Sequence, residues 1–259
     1  MNLRIVVKKA LCAIVSICAV ILYGCSDGQL PNEVHSLEDV PGRVIGALAG
    51  TPSERLAEEM GYAKTYSSGE ELMFSLITGG VECAIVESVI AVDILARTQG
   101  VKMLNENLVE YELHFAVPRE NAELLKVVNS ALVALNSNGT LRNIRDKYFS
   151  GRAYTYSAPE DIELIPGKLT LAISADSPPY SFLGEDNEYT GLDVEVARAI
   201  CDFLGVELEI IVVDVRELVT AVWFGIADFA AGWLPVDIDE NVRITDAYAD
   251  TAYVVVVRR

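Results

Sequence analysis

Positive charge and histidine are scarce in this sequence. Its 259 residues include 20 lysines and arginines against 38 aspartates and glutamates, which gives a formal net charge of −18, and they include 2 histidines. A negative field of this size repels nucleic acid and anionic lipid headgroups, so neither is expected as a ligand. Neither His35 nor His114 lies beside a nucleophile in a recognisable motif, and AGTPSE at 49–54 lacks the lysine of a phosphate-binding loop. These observations favour a chain that is not an enzyme and holds no cofactor.

Cysteine is also sparse outside the N-terminal segment. Three of the five cysteines, Cys12, Cys18 and Cys25, belong to the first 25 residues. Cys83 and Cys201 lie in apolar segments of different halves of the chain, without the spacing of a metal site. We expect both to be free, buried thiols.

The N-terminal segment has the features of a targeting signal. Three basic residues precede an apolar run at 10–23, and the sequence LYGC resembles a lipoprotein cleavage box with Cys25 as the acylated residue. The apolar run is short for a membrane-spanning helix, and an uncleaved anchor is the alternative. Both interpretations place the rest of the chain outside the cytoplasm. The polar stretch at 25–41 then serves as a tether between the membrane and the folded part.

Short apolar runs and helical patterns alternate from residue 42 onward. In Thr51-Pro52-Ser53-Glu54, Thr51 is placed to cap a helix, Pro52 to occupy its first position and Glu54 to cap in return. The predicted order is strand 44–48, helix 51–60, strand 63–66, helix 68–79 and strand 82–86. Residues 169–231 repeat it, with strand 169–174, helix 190–204, strand 207–213, helix 214–224 and strand 228–231. Strands that alternate with helices indicate parallel sheets, so two similar α/β lobes share the chain.

The stretch at 169–200, LTLAISADSPPYSFLGEDNEYTGLDVEVARAI, carries a resemblance to a known family. Its strand, acidic loop, PPY step and TG-x-D helix start resemble the opening lobe of bacterial solute-binding proteins that serve ABC importers of polar amino acids. Residues 36–150 look like the second lobe of that family followed by its C-terminal helices, and residues 167–259 look like its first lobe. The resemblance implies a two-lobed, periplasmic-binding-protein-like α/β fold of type II, in which each lobe is a small, mostly parallel sheet flanked by helices. The lobes stand in reverse order, as in a circularly permuted chain.

The resemblance also divides the chain. The expected parts are a lipoprotein signal peptide at 1–24, a tether at 25–41, lobe two with a hinge crossing at 42–118, a helical segment packing on lobe one at 119–150, a linker joining the old termini at 151–166, and lobe one at 167–259. In this arrangement the new ends fall at the hinge, and residues 112–119 are the one covalent link between the lobes. We therefore expect the free protein to open more widely than an uncut relative.

The expected binding site lies in the crevice beyond the carboxyl ends of the strands. In lobe two this edge collects Gly50, Thr51, Pro52 and Ser53, where a helix N-terminus offers backbone donors to an anion. Plain helix capping is the alternative for Thr51 and Ser53, and it is compatible with binding. Glu87 aligns with the acidic residue that holds a ligand's ammonium in the family, and a solvated loop glutamate is the alternative.

In lobe one the resemblance assigns two groups of ligand-binding positions. The first binding loop supplies Ser174, Asp176, Ser177, Tyr180 and Phe182. The second group comprises Val215, Arg216, Gly232, Trp233 and Leu234. Trp233 is a candidate to stack on a flat or cationic ligand, with packing between the lobes as the alternative.

The chain departs from the family in this lobe. Ser177 and Val215 stand where the family usually has aromatic residues. The family grips an α-carboxylate with an arginine in two-pronged contact, yet residues 232–242 contain no basic residue. Arg216 and Arg243 are candidate replacements, and a plain surface cation is the alternative for each.

The resemblance implies an extracytoplasmic, lipid-anchored solute-binding protein that captures a small polar, amino-acid-like solute between two lobes for an ABC permease. The alternative is a sensor or interaction lipoprotein of the same fold that has lost amino-acid transport. An enzyme is a weaker third hypothesis, because the lobes are not followed by a catalytic domain with its own acid. We expect no metal, contact with the membrane through the N-terminal lipid only, and a monomer, with a domain-swapped dimer as the alternative.

Overall fold

The computed structural model describes residues 30–159, 166–232, 234 and 240–259. The signal segment at 1–24, Cys25, Trp233 and residues 160–165 of the linker lie outside this part of the chain. The described residues form two five-stranded sheets and one three-stranded sheet. Among them, no helix is both long and apolar enough to cross a lipid bilayer.

The first sheet is that of lobe two. Its strands are β1 (Val44–Leu48), β2 (Tyr62–Tyr66), β3 (Cys83–Glu87), β4 (Val101–Leu113) and β13 (Ala249–Arg258). They lie in the order β2-β1-β3-β13-β4, with β1 parallel to β2 and β3 and with β13 antiparallel to β3 and β4. Its helices are α1 (Pro52–Met60), α2 (Gly69–Ile77) and α3 (Ser88–Arg97).

The second sheet is that of lobe one. Its strands are β5 (Ala116–Pro118), β6 (Lys168–Ile173), β10 (Glu207–Val212), β11 (Phe229–Ala230) and β12 (Val242–Ile244), in the order β10-β6-β11-β5-β12. Its helices are α4 (Ala122–Ser137), α5 (Thr140–Ser150), α6 (Leu192–Leu204) and α7 (Leu218–Trp223). The small sheet consists of β7 (Asp176–Ser177), β8 (Ser181–Leu183) and β9 (Tyr189–Thr190).

Local signals account for most helix starts. Ser68 caps α2, because its hydroxyl accepts a hydrogen bond from the backbone N–H of Glu71 at 3.2 Å. The helix expected over 214–224 is instead a 3-10 turn at Val215–Glu217 followed by α7. The carboxylate of Asp214 accepts from the backbone N–H and the guanidinium of Arg216 at the start of this turn.

The two faces of the lobe-two sheet carry separate hydrophobic clusters. Side chains alternate between the faces of a strand, so Ile85 and Val255 join one cluster while Val86 and Val256 join the other. The core of lobe one lies between its sheet and helices α4, α5 and α6, and it includes Leu124, Ile144, Leu171 and Ile200. Cys83 and Cys201 are buried and free, and burial raises the pKa of both thiols to about 12.

The C-terminal strand does not belong to lobe one. Residues 249–258 were expected in lobe one, but β13 lies between β3 and β4 in the sheet of lobe two. Its run of four valines is buried throughout, which suits a strand covered on both faces. The chain therefore crosses between the lobes twice, from Leu113 to Ala116 and from Ile244 to Ala249, and the prediction of a single covalent link was wrong.

The two crossings form one hydrogen-bonded hinge. The backbone N–H of Thr245 donates to the carbonyl of Phe115 at 2.9 Å, and that of Tyr248 donates to the carbonyl of Leu113 at 2.9 Å. The Oγ1 atom of Thr245 accepts from the N–H of Phe115 at 3.1 Å. The Nδ1 atom of His114 lies 2.8 Å from the carbonyl oxygen of Thr245, so this histidine has a structural role in the hinge.

Candidate functional site

The carboxyl ends of the parallel strands in both lobes meet near the hinge. In lobe two, β1 and β3 pair in parallel and end at Leu48 and Glu87. In lobe one, β6 pairs in parallel with β10 and β11, and the loop after Ile173 leads into the small three-stranded sheet. Ligands of open α/β sheets bind beyond such ends, so the residues that meet here are the candidate site.

The carboxylate of Glu87 joins the two lobes. Glu87 is 2% exposed, and its Oε1 atom accepts hydrogen bonds from the hydroxyls of Tyr111 at 2.7 Å, Thr251 at 3.0 Å and Tyr180. Tyr111 and Thr251 belong to lobe two, whereas Tyr180 belongs to the binding loop of lobe one. The Oε2 atom of Glu87 is also buried and has no hydrogen-bond partner within the described part of the chain. The alternative of a solvated loop glutamate is therefore wrong.

Strand register explains why these groups converge. Tyr253 of β13 lies directly opposite Glu87 of β3, and Thr251 lies opposite Tyr111 of β4. Residues two apart on a strand point to the same face, so Thr251 and Tyr253 present their side chains together. The rings of Tyr111 and Tyr253 stack with their centroids 5.3 Å apart. The result is a wall of hydroxyls and aromatic rings around one carboxylate.

Burial is the main influence on the acidity of Glu87. Loss of solvent raises the pKa of this carboxyl group, and the negative charge of Asp193 raises it further. Hydrogen bonds from the three hydroxyls lower the pKa and oppose the shift without cancelling it. The group is thus held closer to its neutral form than an exposed glutamate, and a nearby cation would favour its ionised form.

A second buried carboxyl group lies on the lobe-one side. Asp193, in the first turn of α6, accepts from the hydroxyls of Tyr248 at 2.7 Å and Ser181 at 3.1 Å. Burial raises the pKa of Asp193 to about 6. Asp193 lines a small pocket of about 10 Å³, room for about one water molecule, together with Leu113, Ser177, Tyr180 and Gly232.

The structure brings several predicted lobe-one positions to this cavity. Ser177, Tyr180 and Gly232 line it directly. The loop between β6 and α6 carries the other positions of the first group: Ser174 follows β6, and Asp176 pairs with Phe182 across the small sheet. The ring of Tyr180 is steadied by an edge contact with Phe149 of α5, at 5.9 Å between centroids.

Other predicted positions lie elsewhere. The side chain of Arg216 is 86% exposed and pairs with Asp214 at 2.8 Å. Arg243 is exposed on the edge strand β12. Val215 packs beside the hydrophobic cluster under α7, and the N–H of Leu234 donates to the carbonyl of Gly232 at 2.8 Å. Neither arginine contacts Glu87 or Asp193, so both remain surface cations in this arrangement.

The start of α1 differs from the expected reciprocal cap. Thr51 precedes the helix and Pro52 is its first residue, but the Thr51 hydroxyl bonds Leu48 O at 2.9 Å and the Ser53 hydroxyl at 2.6 Å. Glu54 accepts from the N–H of Gly50 at 2.8 Å, so its carboxylate occupies the loop that was expected to receive an anion. The helix begins here because the ring of proline presets the helical φ angle and lacks the N–H that would go unsatisfied.

Sequence reasoning missed Tyr111, Thr251, Asp193, Tyr248 and Tyr253 as members of the site. The TG-x-D start containing Asp193 was noticed only as a motif. The sequence YADTAY does place Tyr248, Thr251 and Tyr253 near the start of an apolar strand, where buried hydroxyls need partners. The sequence thus indicated that these hydroxyls need buried partners, but it did not indicate which residues those partners are. Among the residues that the structure describes, no group of three acids, histidines or cysteines is arranged to hold a metal ion.

Comparison with known proteins identifies the segment that supplies the lobe-one part of this site. Residues 169–259 match the family model described as bacterial extracellular solute-binding proteins, family 3. This segment is similar to that family. The resemblance inferred from residues 169–200 and the two-lobed α/β fold of type II are thereby confirmed.

Named relatives cover only part of the chain. The L-arginine-binding protein of Pseudomonas aeruginosa is 29% identical over 129 residues, which cover 45% of this chain and 50% of that protein. The L-cystine-binding protein TcyJ of Escherichia coli is 24% identical over 120 residues, which cover 45% of each chain. The solved structure of the L-cystine solute receptor of Neisseria gonorrhoeae is 27% identical in sequence. The matched region covers 29% of this chain and 32% of the receptor, with a TM-score of 0.27. The chain spans about half the length of the curated relatives that it matches, and these are named as binding proteins.

Proposed function

We propose that this chain is an extracytoplasmic solute-binding receptor, which captures a small polar, amino-acid-like solute between its lobes and presents it to an ABC importer. The observation that carries the proposal is the buried carboxylate of Glu87, which is hydrogen-bonded to Tyr180 of the opposite lobe at the cleft. The family-3 match of residues 169–259 and the binding proteins among the relatives support the same function.

Two parts of the proposal concern the organisation of the chain. We propose that Cys25 is acylated and that the tether to the membrane ends before Val34, because Val34 and Val40 are fully buried in a core cluster of lobe two. We also propose that the lobes are permuted: a family model that follows only residues 169–259 supports this order, since a collinear match can follow one part of a permuted chain at a time. The guanidinium of Arg258 donates to the carbonyl of Pro31 at 3.3 Å, which brings together the positions that an unpermuted chain would connect.

Ligand binding is the first test. Thermal-shift measurements on the purified protein without its signal should show a higher melting temperature with at least one member of a panel of amino acids and amines, because a ligand that binds only the native state stabilises it. Glu87→Gln should abolish the response. Glu195→Gln is a matched control, because Glu195 is also buried with one unpartnered oxygen but lies on α6 against Lys147 and Tyr148.

Anchoring and transport need separate measurements. Cys25→Ala should move the protein from the membrane fraction to the soluble extracytoplasmic fraction, and an unchanged distribution would contradict acylation. A sensor of the same fold is the second candidate function, and the absence of a basic residue at 232–242 favours it. Solute uptake into vesicles that contain the receptor and its permease would support transport, whereas binding without uptake would support the sensor.

A further inference from the structure

We propose that the solute is an organic cation without a carboxylate group, such as a diamine or a guanidino-amine, rather than an amino acid. The inference rests on the proposed function, because it concerns the ligand of the same cleft. Four features lead to it: two buried acids, a loop at 232–242 without a basic residue, an occupied helix start and stacked tyrosine rings.

Two buried carboxyl groups set the charge of the cleft. Glu87 is 2% exposed and Asp193 is 1% exposed. Oε1 of Glu87 already accepts from three hydroxyls, whereas its Oε2 has no partner among the described residues. A buried acceptor without a donor is costly, and a ligand ammonium would supply that donor. A ligand carboxylate at the same place would meet repulsion from both acids.

The loop that follows β11 offers no cation to a carboxylate. The stretch GWLPVDIDENV at 232–242 contains no lysine or arginine. Of the arginines on neighbouring elements, Arg145 is engaged by Asp250 at 3.2 Å and Arg216 by Asp214 at 2.8 Å, while Arg243 is exposed on the edge strand β12. A carboxylate in the cleft would therefore depend on a cation from one of these ion pairs or from the protein surface.

The helix start in lobe two is also engaged. The N-terminus of α1 would ordinarily attract an anion, but Pro52 has no N–H and the N–H of Gly50 donates to the carboxylate of Glu54. The protein's own acid thus lies where a ligand carboxylate would be received. The anion site predicted at the start of α1 is therefore not available to the carboxylate of an amino acid.

The tyrosine rings beside Glu87 favour a cation as well. The stacked rings of Tyr111 and Tyr253 add π-faces, which attract cations electrostatically.

Matched ligand pairs test the inference directly. Agmatine differs from arginine, and putrescine from ornithine, only by the absence of the carboxyl group. Calorimetric titration of the purified wild-type protein should give a dissociation constant at least tenfold lower for agmatine or putrescine than for the paired amino acid. Tighter binding of arginine or ornithine would overturn the inference and leave the proposed function standing. Binding of neither class, and of no amino acid in the wider panel, would overturn both.

A charge-neutral variant locates the interaction. Glu87→Gln keeps the size and one acceptor oxygen of the side chain, and it should weaken binding of the amine at least tenfold. Glu195→Gln should leave the amine affinity unchanged. Full amine affinity in a folded Glu87→Gln protein would overturn the assigned contact. The comparison of matched ligand pairs uses the wild-type protein alone, so it decides the ligand class even if the variant fails to fold.

Discussion

The hydroxyl of Tyr180, in the binding loop of lobe one, donates a hydrogen bond to Oε1 of Glu87, at the end of β3 in lobe two. This contact spans the cleft, while both covalent crossings lie at the hinge behind it. A protein side chain thus occupies a position on the carboxylate that a ligand donor would compete for. Opening of the lobes must break the contact, and closure on a solute must either re-form or replace it.

Removal of this hydroxyl should loosen the closed state. Tyr180→Phe retains the ring and its contact with Phe149 but removes the hydrogen bond between the lobes. We expect a loss of about 1 kcal/mol in stability and a larger radius of gyration of the free protein in solution scattering. Tyr156→Phe is the control, because the hydroxyl of Tyr156 bonds Asp202 at 2.9 Å within lobe one. Equal effects of the two substitutions on the radius would argue against a role of Tyr180 in closure.

Asp193 should make stability depend on pH. Its pKa of about 6 in the folded protein exceeds the value of 3.8 for an unperturbed aspartate, so the native state holds the proton more tightly. The stabilising contribution is fully present below pH 3.8 and is lost as the pH rises through about 6. Asp193→Asn removes the titration but keeps groups that can bond Tyr248 and Ser181. Urea denaturation between pH 4 and 7.5 should therefore show a stability difference between wild type and variant that changes by up to about 3 kcal/mol. A constant difference over this range would contradict the assignment.

Amine affinity should rise with pH. Burial raises the pKa of Glu87, and an ammonium binds the ionised carboxylate, so binding at lower pH must first remove a proton. Affinity should fall by up to about tenfold for each pH unit below the pKa of the free site. Calorimetry in buffers of different ionisation enthalpy should detect the released proton. If binding releases no proton at any pH measured, Glu87 does not lose a proton when the amine binds.

Gly191 should be intolerant of any side chain. Its φ of 124° favours glycine, and a Cβ atom there would collide with the carbonyl of Tyr180. Gly191→Ala should destabilise the protein by more than about 2 kcal/mol and displace the Tyr180 loop, which denaturation and ligand titration can measure. Gly151→Ala is the matched control, because Gly151 also has a positive φ, of 65°, but nothing lies within 4 Å of its Cβ position. A Gly191 variant no less stable than the Gly151 variant would show that the collision is relieved.

Arg258 should be important for lobe two despite its distance from the cleft. This arginine is 8% exposed, and its Nη1 atom donates to the carbonyls of Leu76 and Val81 at 2.8 Å each. Arg258→Met would leave these carbonyls without their donor, and we expect a loss of about 2–4 kcal/mol in denaturation. Arg259→Met, which removes a single bond to the carbonyl of Val101, should cost less.

Local signals predicted the parts of the fold that depend on neighbouring residues. β1 and α1 were expected close to their observed positions because the apolar run and Pro52 act within a few residues of one another. The site was predictable only in part. Glu87, Tyr180 and Ser177 were named from the resemblance, but Thr251 lies 164 residues from Glu87 in the chain, and only the register of β13 against β3 brings them together. A regular helix was expected over 214–224, but the carboxylate of Asp214 accepts from the N–H and the guanidinium of Arg216, and residues 215–217 form a 3-10 turn.

The position of β13 has a consequence for how the protein is made. This strand fills the middle of the lobe-two sheet, between β3 and β4, yet it is synthesised about 160 residues after β3. While β13 is still inside the ribosome, β3 and β4 have no central neighbour, and their unpaired edges are open to chaperones or to strands of other nascent chains. Lobe one can collapse earlier, because β5, β6, β10, β11 and helices α4 to α7 all precede β13. Lobe two is therefore the lobe whose synthesis begins first and whose sheet is completed last.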